Sequence, residues 1–244
     1  MAGRLITDLH HNKIGKVSDK WDSYLGYYDS LFGALQDAPI AMLEIGVQNG
    51  GSLETWTRYF TAGKIFIGCD INPACGALQY TDPRVNVIIG DANSLPAYRS
   101  ICSLSSEFDI VIDDGSHVST DILNSFVNYF PLVKPGGLYV VEDTHTLYES
   151  AYGGGILNEF SAYAFFKKLV DIVNFQFWQK ELAINTYLRS FFPLDQTPGF
   201  IGEGWIESIE FRNSIITIKK SLHPGHDKLG RRVIVGTVAQ VHQF

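Results

Sequence analysis

The sequence predicts an α/β fold: a sheet of five parallel strands with helices on both faces, finished by an antiparallel C-terminal hairpin. Three observations carry this expectation. From residue 40 to 143, short β-branched runs alternate with longer mixed segments, the pattern of a repeated strand–helix–strand unit. Four of the five runs end in aspartate, at Asp70, Asp91, Asp114 and Asp143. Finally, residues 205–220 alternate apolar and polar on both sides of Arg212-Asn213-Ser214, which reads as a hairpin. A doubly wound dinucleotide-binding sheet would instead continue with a sixth parallel strand.

The elements follow in order. Residues 1–39 are polar and then aromatic (Trp21, Tyr24, Tyr27, Tyr28, Phe32), a helical approach whose rings either line one edge of the site or pack into the core. Residues 40–47 read as the first strand and 51–60 as the helix after it. Strands follow at 64–70, 84–91 and 108–114. A helix over 118–130 is expected from apolar residues at 118, 122, 123, 126, 127 and 130. The fifth strand, 137–143, is announced by the turn Lys134-Pro135-Gly136-Gly137. Residues 144–204 form a long connection with Gly153-Gly154-Gly155 and a helical stretch from about 156 to 178. Connections of that length in a compact domain are usually functional, and this one reads as a cap on the acceptor side. No linker or repeat divides the chain, so 1–244 reads as one domain.

Composition narrows the class. The 244 residues are 45% hydrophobic, 18% charged and 13% aromatic, which excludes disorder. No apolar run approaches the roughly 18–20 residues that span a bilayer, and the N-terminus lacks a signal-peptide pattern, so a cytoplasmic protein is expected. Cys69, Cys75 and Cys102 lack metal-site spacing and cannot all pair, which argues against a disulfide framework. Lys and Arg total 19 against 26 Asp and Glu, a formal charge of -7 that disfavours a nucleic-acid partner. The basic clusters Lys219-Lys220 and Arg231-Arg232 are too small to override it. The aromatic-rich flanks suggest a homo-oligomer.

Two constellations carry chemistry. The turn Glu44-Ile45-Gly46-Val47-Gln48-Asn49-Gly50-Gly51-Ser52 sits where the first strand meets a helix, and its glycines suit close approach of a ligand to backbone N–H groups. Its spacing differs from G-x-G-x-x-G, and Gln48 stands where a pyrophosphate would need a bare backbone. Asp70 is placed to accept from ribose hydroxyls, and Asp91 from an adenine amine; each also suits a helix N-cap. Ribose and adenine without pyrophosphate describe S-adenosylmethionine. The second constellation is Asp113-Asp114-Gly115-Ser116-His117 with Glu142-Asp143-Thr144-His145, at the ends of the fourth and fifth strands. Adjacent strands lie about 4.8 Å apart, so these carboxylates converge, and a hard divalent cation such as Mg²⁺ is the simplest compensation. A sugar diol would complete its coordination while His117 removes a proton. Capping residues facing water are the plain alternative.

Together with Leu43-Glu44-Ile45-Gly46-Val47 and Ser18-Asp19-Lys20-Trp21, these motifs make residues 15–146 resemble the macrocin and mycinamicin family of metal-dependent sugar O-methyltransferases, with the class I methyltransferase fold. The resemblance implies Asp114, Glu142 and Asp143 as Mg²⁺ ligands and His117 as general base. It puts Glu44, Gly46, Asp70, Asp91 and Asp113 in the cofactor positions. Ala92 stands where family members often carry Gln, and an N-terminal domain found in some of them has no counterpart here. The expected partner is a glycoside, either a natural-product deoxysugar or a cell-envelope saccharide. The competing functions are an NAD-type oxidoreductase and a non-catalytic S-adenosylmethionine-binding module.

Overall fold

The computed structural model describes residues 4–179 and 181–238. Its strands are β1 (Ala41–Ile45), β2 (Ile65–Asp70), β3 (Val85–Ile89), β4 (Phe108–Asp113), β5 (Val133–Val141), β6 (Ile206–Arg212) and β7 (Ile215–Lys220). They form one sheet in the order β3-β2-β1-β4-β5-β7-β6. The first five pair in parallel, and β7 inserts antiparallel between β5 and β6, as the alternation around Arg212 requires. The helices are α1 (Ile6–His11), α2 (Asp22–Phe32), α3 (Gly51–Tyr59), α4 (Leu95–Leu104), α5 (Ser119–Tyr129) and α6 (Ala162–Val173), with short turns at Ile184–Tyr187 and Gly199–Gly202. None of the described helices is long and apolar enough to cross a membrane.

Strand alternation distributes the core over both faces of the sheet. Ala41, Leu43 and Ile45 join Tyr139 and Val141 on the face covered by α5 and α6. Met42, Ile110, Ile112, Leu138 and Val140 join Tyr28, Phe32, Trp56 and Phe60 on the face covered by α2 and α3. The aromatic N-terminal stretch is therefore largely core. On α5 the buried residues Ile122, Ser125, Phe126 and Tyr129 recur at helical spacing, as the apolar pattern predicts.

Two boundaries differ from expectation. The Lys134–Gly137 turn lies inside β5, which starts at Val133, and the register with β4 slips between Phe108 and Ile110. The helix expected over 156–178 covers only Ala162–Val173. Ile156, Leu157 and Phe160 are apolar but exposed, in a turn closed by the Asn158 amide N–H donating to Gly155 O at 3.0 Å. Ser161 then caps α6 by accepting from Ala164 N at 3.2 Å.

The strand ends that carry the acids are tied to one another. Gly46 N donates to Cys69 O at 2.8 Å, Asp114 N to Ile45 O at 2.9 Å and Glu142 N to Asp113 O at 2.9 Å. A Cβ on Gly46, whose φ is +92°, would lie 2.0 Å from Asp114 O. That glycine admits the neighbouring strand end. Gly50 takes φ 79° at the N-cap of α3, with the Tyr80 hydroxyl 2.2 Å from where its Cβ would be.

Candidate active site

The sheet order reverses between β1 and β4, and ligands of open α/β sheets bind beyond the strand carboxyl ends at such a point. A cavity of about 630 Å³ opens there, within the range of small-ligand pockets. The ends of β1 to β5 and residues 17–21 line it. The last segment is strapped to α3: Gly51 N donates to Val17 O at 3.0 Å, and Lys13 and Lys16 each reach Glu54 at 2.9 Å. Although burial works the other way, hydrogen bonds from these lysines hold the Glu54 carboxyl down to about 2.

Of the residues assigned to the cofactor, Gly46, Ser52, Asp70, Asp91 and Asp113 line the cavity, whereas Glu44 and Gly50 do not. Glu44 is fully buried behind the wall, accepting from Ser52 Oγ at 2.6 Å and Trp56 Nε1 at 3.1 Å, so it orients the turn from within the core. Burial raises its pKa. Gly50 serves the N-cap geometry of α3. Asp70 Oδ2 accepts from Val47 N at 2.8 Å and Gln48 N at 2.9 Å, and Oδ1 from Asn72 N at 2.8 Å. Against the cost of burial, these bonds lower its pKa. Asp70 thus fixes the turn while lining the cavity. Asp91 accepts from Asn93 N at 2.9 Å, and Asn93, which the motifs did not flag, lines the cavity beside it. Asp113 is 4% exposed, and burial pushes it up to about 7.

At the other end of the cavity Asp114, His117 and Asp143 each offer a ligand atom within 4.8 Å of one another, the group best arranged for a metal ion among the described residues. His117 Nε2 lies 3.9 Å from Asp114 Oδ1 and 3.7 Å from Asp143 Oδ2. His117 and Asp143 both sit in the left-handed region, at φ 57° and 52°. Side chains rarely adopt that conformation outside sites that require it. Asp143 Oδ1 accepts from Trp21 Nε1 at 2.9 Å and lies 2.9 Å from the Tyr24 hydroxyl, which fixes the carboxylate from the N-terminal side.

Glu142 also lines the cavity but stands outside that group, its oxygens engaged by other side chains. It is 1% exposed and takes the Tyr28 hydroxyl at 2.7 Å and Lys20 Nζ at 2.8 and 2.9 Å. Burial and the nearby Asp114 raise its pKa against the pull of Lys20. Burial opposes the Lys20 charge, yet Asp114, Glu142 and Glu44 outweigh it and hold the ammonium protonated. In the sequence Lys20 stood out only as part of the Ser18-Asp19-Lys20-Trp21 motif, without a role, and Tyr24 and Tyr28 only within an aromatic run. The oxygen-rich donors suit a divalent cation, and an ammonium already stands between two of them as a cation would.

This sheet order and cavity define a class I methyltransferase fold. Residues 43–144 match a family model described as a methyltransferase domain. The chain is 32% identical over 239 residues to the 8-demethyl-8-alpha-L-rhamnosyl tetracenomycin-C 2'-O-methyltransferase of Streptomyces olivaceus, covering 94% of this chain and 59% of that one. It is 38% identical over 135 residues to the mycinamicin VI 2''-O-methyltransferase of Micromonospora griseorubida, covering 52% and 33%. Among solved structures it is similar to the MycE methyltransferase of the mycinamycin pathway in complex with Mg, SAH and mycinamycin VI. The TM-score is 0.72 at 26% identity, over 93% of this chain and 55% of that one. The chain is a homologue of the sugar O-methyltransferases of macrolide and tetracenomycin pathways, and its matches span 33% to 59% of the length of these relatives.

Proposed function

We propose that this chain transfers a methyl group from S-adenosylmethionine to a sugar hydroxyl of a glycoside, with Mg²⁺ bound at the acidic end of the cavity. The observation that supports it is one continuous cavity lined by Asp70 and Asp91 at one end and by Asp114, His117 and Asp143 at the other. In this reading Asp70 and Asp91 receive the nucleoside, while Asp114, Asp143 and Glu142 hold the ion. When bound, Mg²⁺ supplies positive charge that lowers the pKa of the acceptor hydroxyl. His117 Nε2 takes the hydroxyl proton as the new O–C bond forms and the sulfonium S–C bond breaks, leaving S-adenosylhomocysteine. In this reading Trp21, which lines the cavity and meets the His145 ring edge-on at 5.9 Å, stands on the acceptor side, and the connection 144–204 is the expected cap.

Methyl transfer from radiolabelled S-adenosylmethionine to a panel of deoxysugar glycosides tests the reading. Chelator should abolish the signal and excess Mg²⁺ restore it; turnover undiminished in chelator would remove the ion from the reaction. Asp70→Asn should weaken S-adenosylmethionine binding by roughly tenfold or more, since hydrogen bonds to charged groups contribute about 1.5–3 kcal/mol. Its Mg²⁺ affinity should stay at the wild-type value. Calorimetry with each ligand separates the two, and an unchanged cofactor Kd would remove Asp70 from the nucleoside site.

A further inference from the structure

Lys20 is the cationic side chain lining the cavity, and the proposed reaction gives it no task. Its side chain is 5% exposed, and its ammonium lies 2.5 Å from Asp114 Oδ2, 2.8 Å from Glu142 Oε1 and 3.8 Å from Glu44 Oε1. We propose that Lys20 is a positioning residue: a tethered cation that competes with the divalent ion for Asp114 and Glu142, and so decides whether His117 is a ligand or a base. This rests on the metal-dependent reading above.

Asp114 faces two ways. Its Oδ2 is bonded to Lys20, and its Oδ1 lies 3.9 Å from His117 Nε2. While the ammonium is in place, both Glu142 oxygens contact it and Oε1 also receives the Tyr28 hydroxyl. The groups left to share an ion are then Asp114, His117 and Asp143. An ion held that way takes the imidazole lone pair that proton removal needs. Withdrawal of the ammonium releases the Glu142 carboxylate and the second Asp114 oxygen, and a hard cation prefers those oxygens to imidazole nitrogen. His117 is then free to act as a base. An ion held by Asp114, His117 and Asp143 faces the ammonium across the Asp114 carboxylate, and like charges at such separations repel in a partly buried site, so the ammonium weakens its hold. Lysine has a flexible four-carbon stem, and Asp19 and Trp21, on either side of Lys20, line the same cavity, which gives the ammonium an exit.

Titration calorimetry with MgCl₂ on wild type and Lys20→Met, without acceptor or cofactor, reads the competition. The variant should bind Mg²⁺ at least about tenfold more tightly, about 1.4 kcal/mol. Ion-free, it should melt below ion-free wild type, and Mg²⁺ should reverse the loss. Should Lys20→Met fail to fold, wild type still answers through amine acetylation read by peptide mass spectrometry. Lys20 should be protected without ion and label faster at saturating Mg²⁺. Equal or weaker Mg²⁺ binding by folded Lys20→Met, or unchanged Lys20 labelling in Mg²⁺-bound wild type, overturns the competition while leaving the metal reading intact. Failure of both proteins to bind Mg²⁺ overturns both together.

Discussion

His117→Ala should lower kcat for methyl transfer by about 10²- to 10⁴-fold, the range that a positioned general base contributes. The affinity for S-adenosylmethionine should stay near wild type, and any loss of Mg²⁺ affinity should be far smaller than the loss in kcat. The expectation comes from geometry: Nε2 stands between Asp114 Oδ1 and Asp143 Oδ2 at 3.9 and 3.7 Å, on a residue at φ 57°. That backbone conformation is stabilised by its surroundings, since Asp114 N is bonded to Ile45 O on one side and Thr146 Oγ1 reaches His117 O at 3.3 Å on the other. Alanine keeps the loop and removes only the imidazole. Steady-state kinetics with calorimetry in parallel decide the role. A fall in Mg²⁺ affinity equal to the fall in kcat would make His117 a metal ligand, and near-normal turnover would leave it structural.

The parts of this arrangement that the sequence reveals are those set by local pattern. The strands of a sheet covered on both faces are short apolar runs, and the acids at their ends fall at the mouth because parallel strands all finish on one side. That much places Asp70, Asp91, Asp114 and Asp143 together before any coordinates. The partners of Asp114, Glu142 and Asp143 arrive from 94 to 122 positions away, since Lys20 bonds Asp114 and Glu142, and Trp21 bonds Asp143. No periodicity encodes such pairs. Glu44 illustrates the same limit: the alternation of β1 sends its carboxylate to the α3 face, where Ser52 and Trp56 wait for it. The stretch 156–160 misleads for a different reason, because apolar residues are ordinarily buried and here three of them are not. The start of α6 is set instead by Ser161, whose hydroxyl accepts from Ala164 N at 3.2 Å.

Phe126→Ala should destabilise the fold by about 3–5 kcal/mol, the usual cost of emptying a large aromatic site. That is a large share of the roughly 5–15 kcal/mol a domain possesses. Phe126 is fully buried on α5, with its ring centroid 4.9 Å from Phe130, 5.3 Å from Tyr139, 5.4 Å from Phe166, 5.6 Å from Phe200 and 5.8 Å from Phe165. Those rings come from the end of α5, from β5 and from the connection 144–204, so one side chain joins the connection to the sheet. The rings cannot collapse into the void together, because each is held by its own helix or strand. Ser119 Oγ accepts from Ala162 N at 2.6 Å, so α5 and α6 also start from a shared point two residues beyond His117. Urea unfolding should show a lower midpoint for Phe126→Ala. With milder truncation to leucine, the KM for acceptor should rise more than the Kd for S-adenosylmethionine, because the nucleoside end of the cavity is built from β1, β2 and β3. A midpoint within error of wild type would show that the aromatic cluster closes without its central ring, and an equal rise in both constants would separate residues 144–204 from acceptor binding.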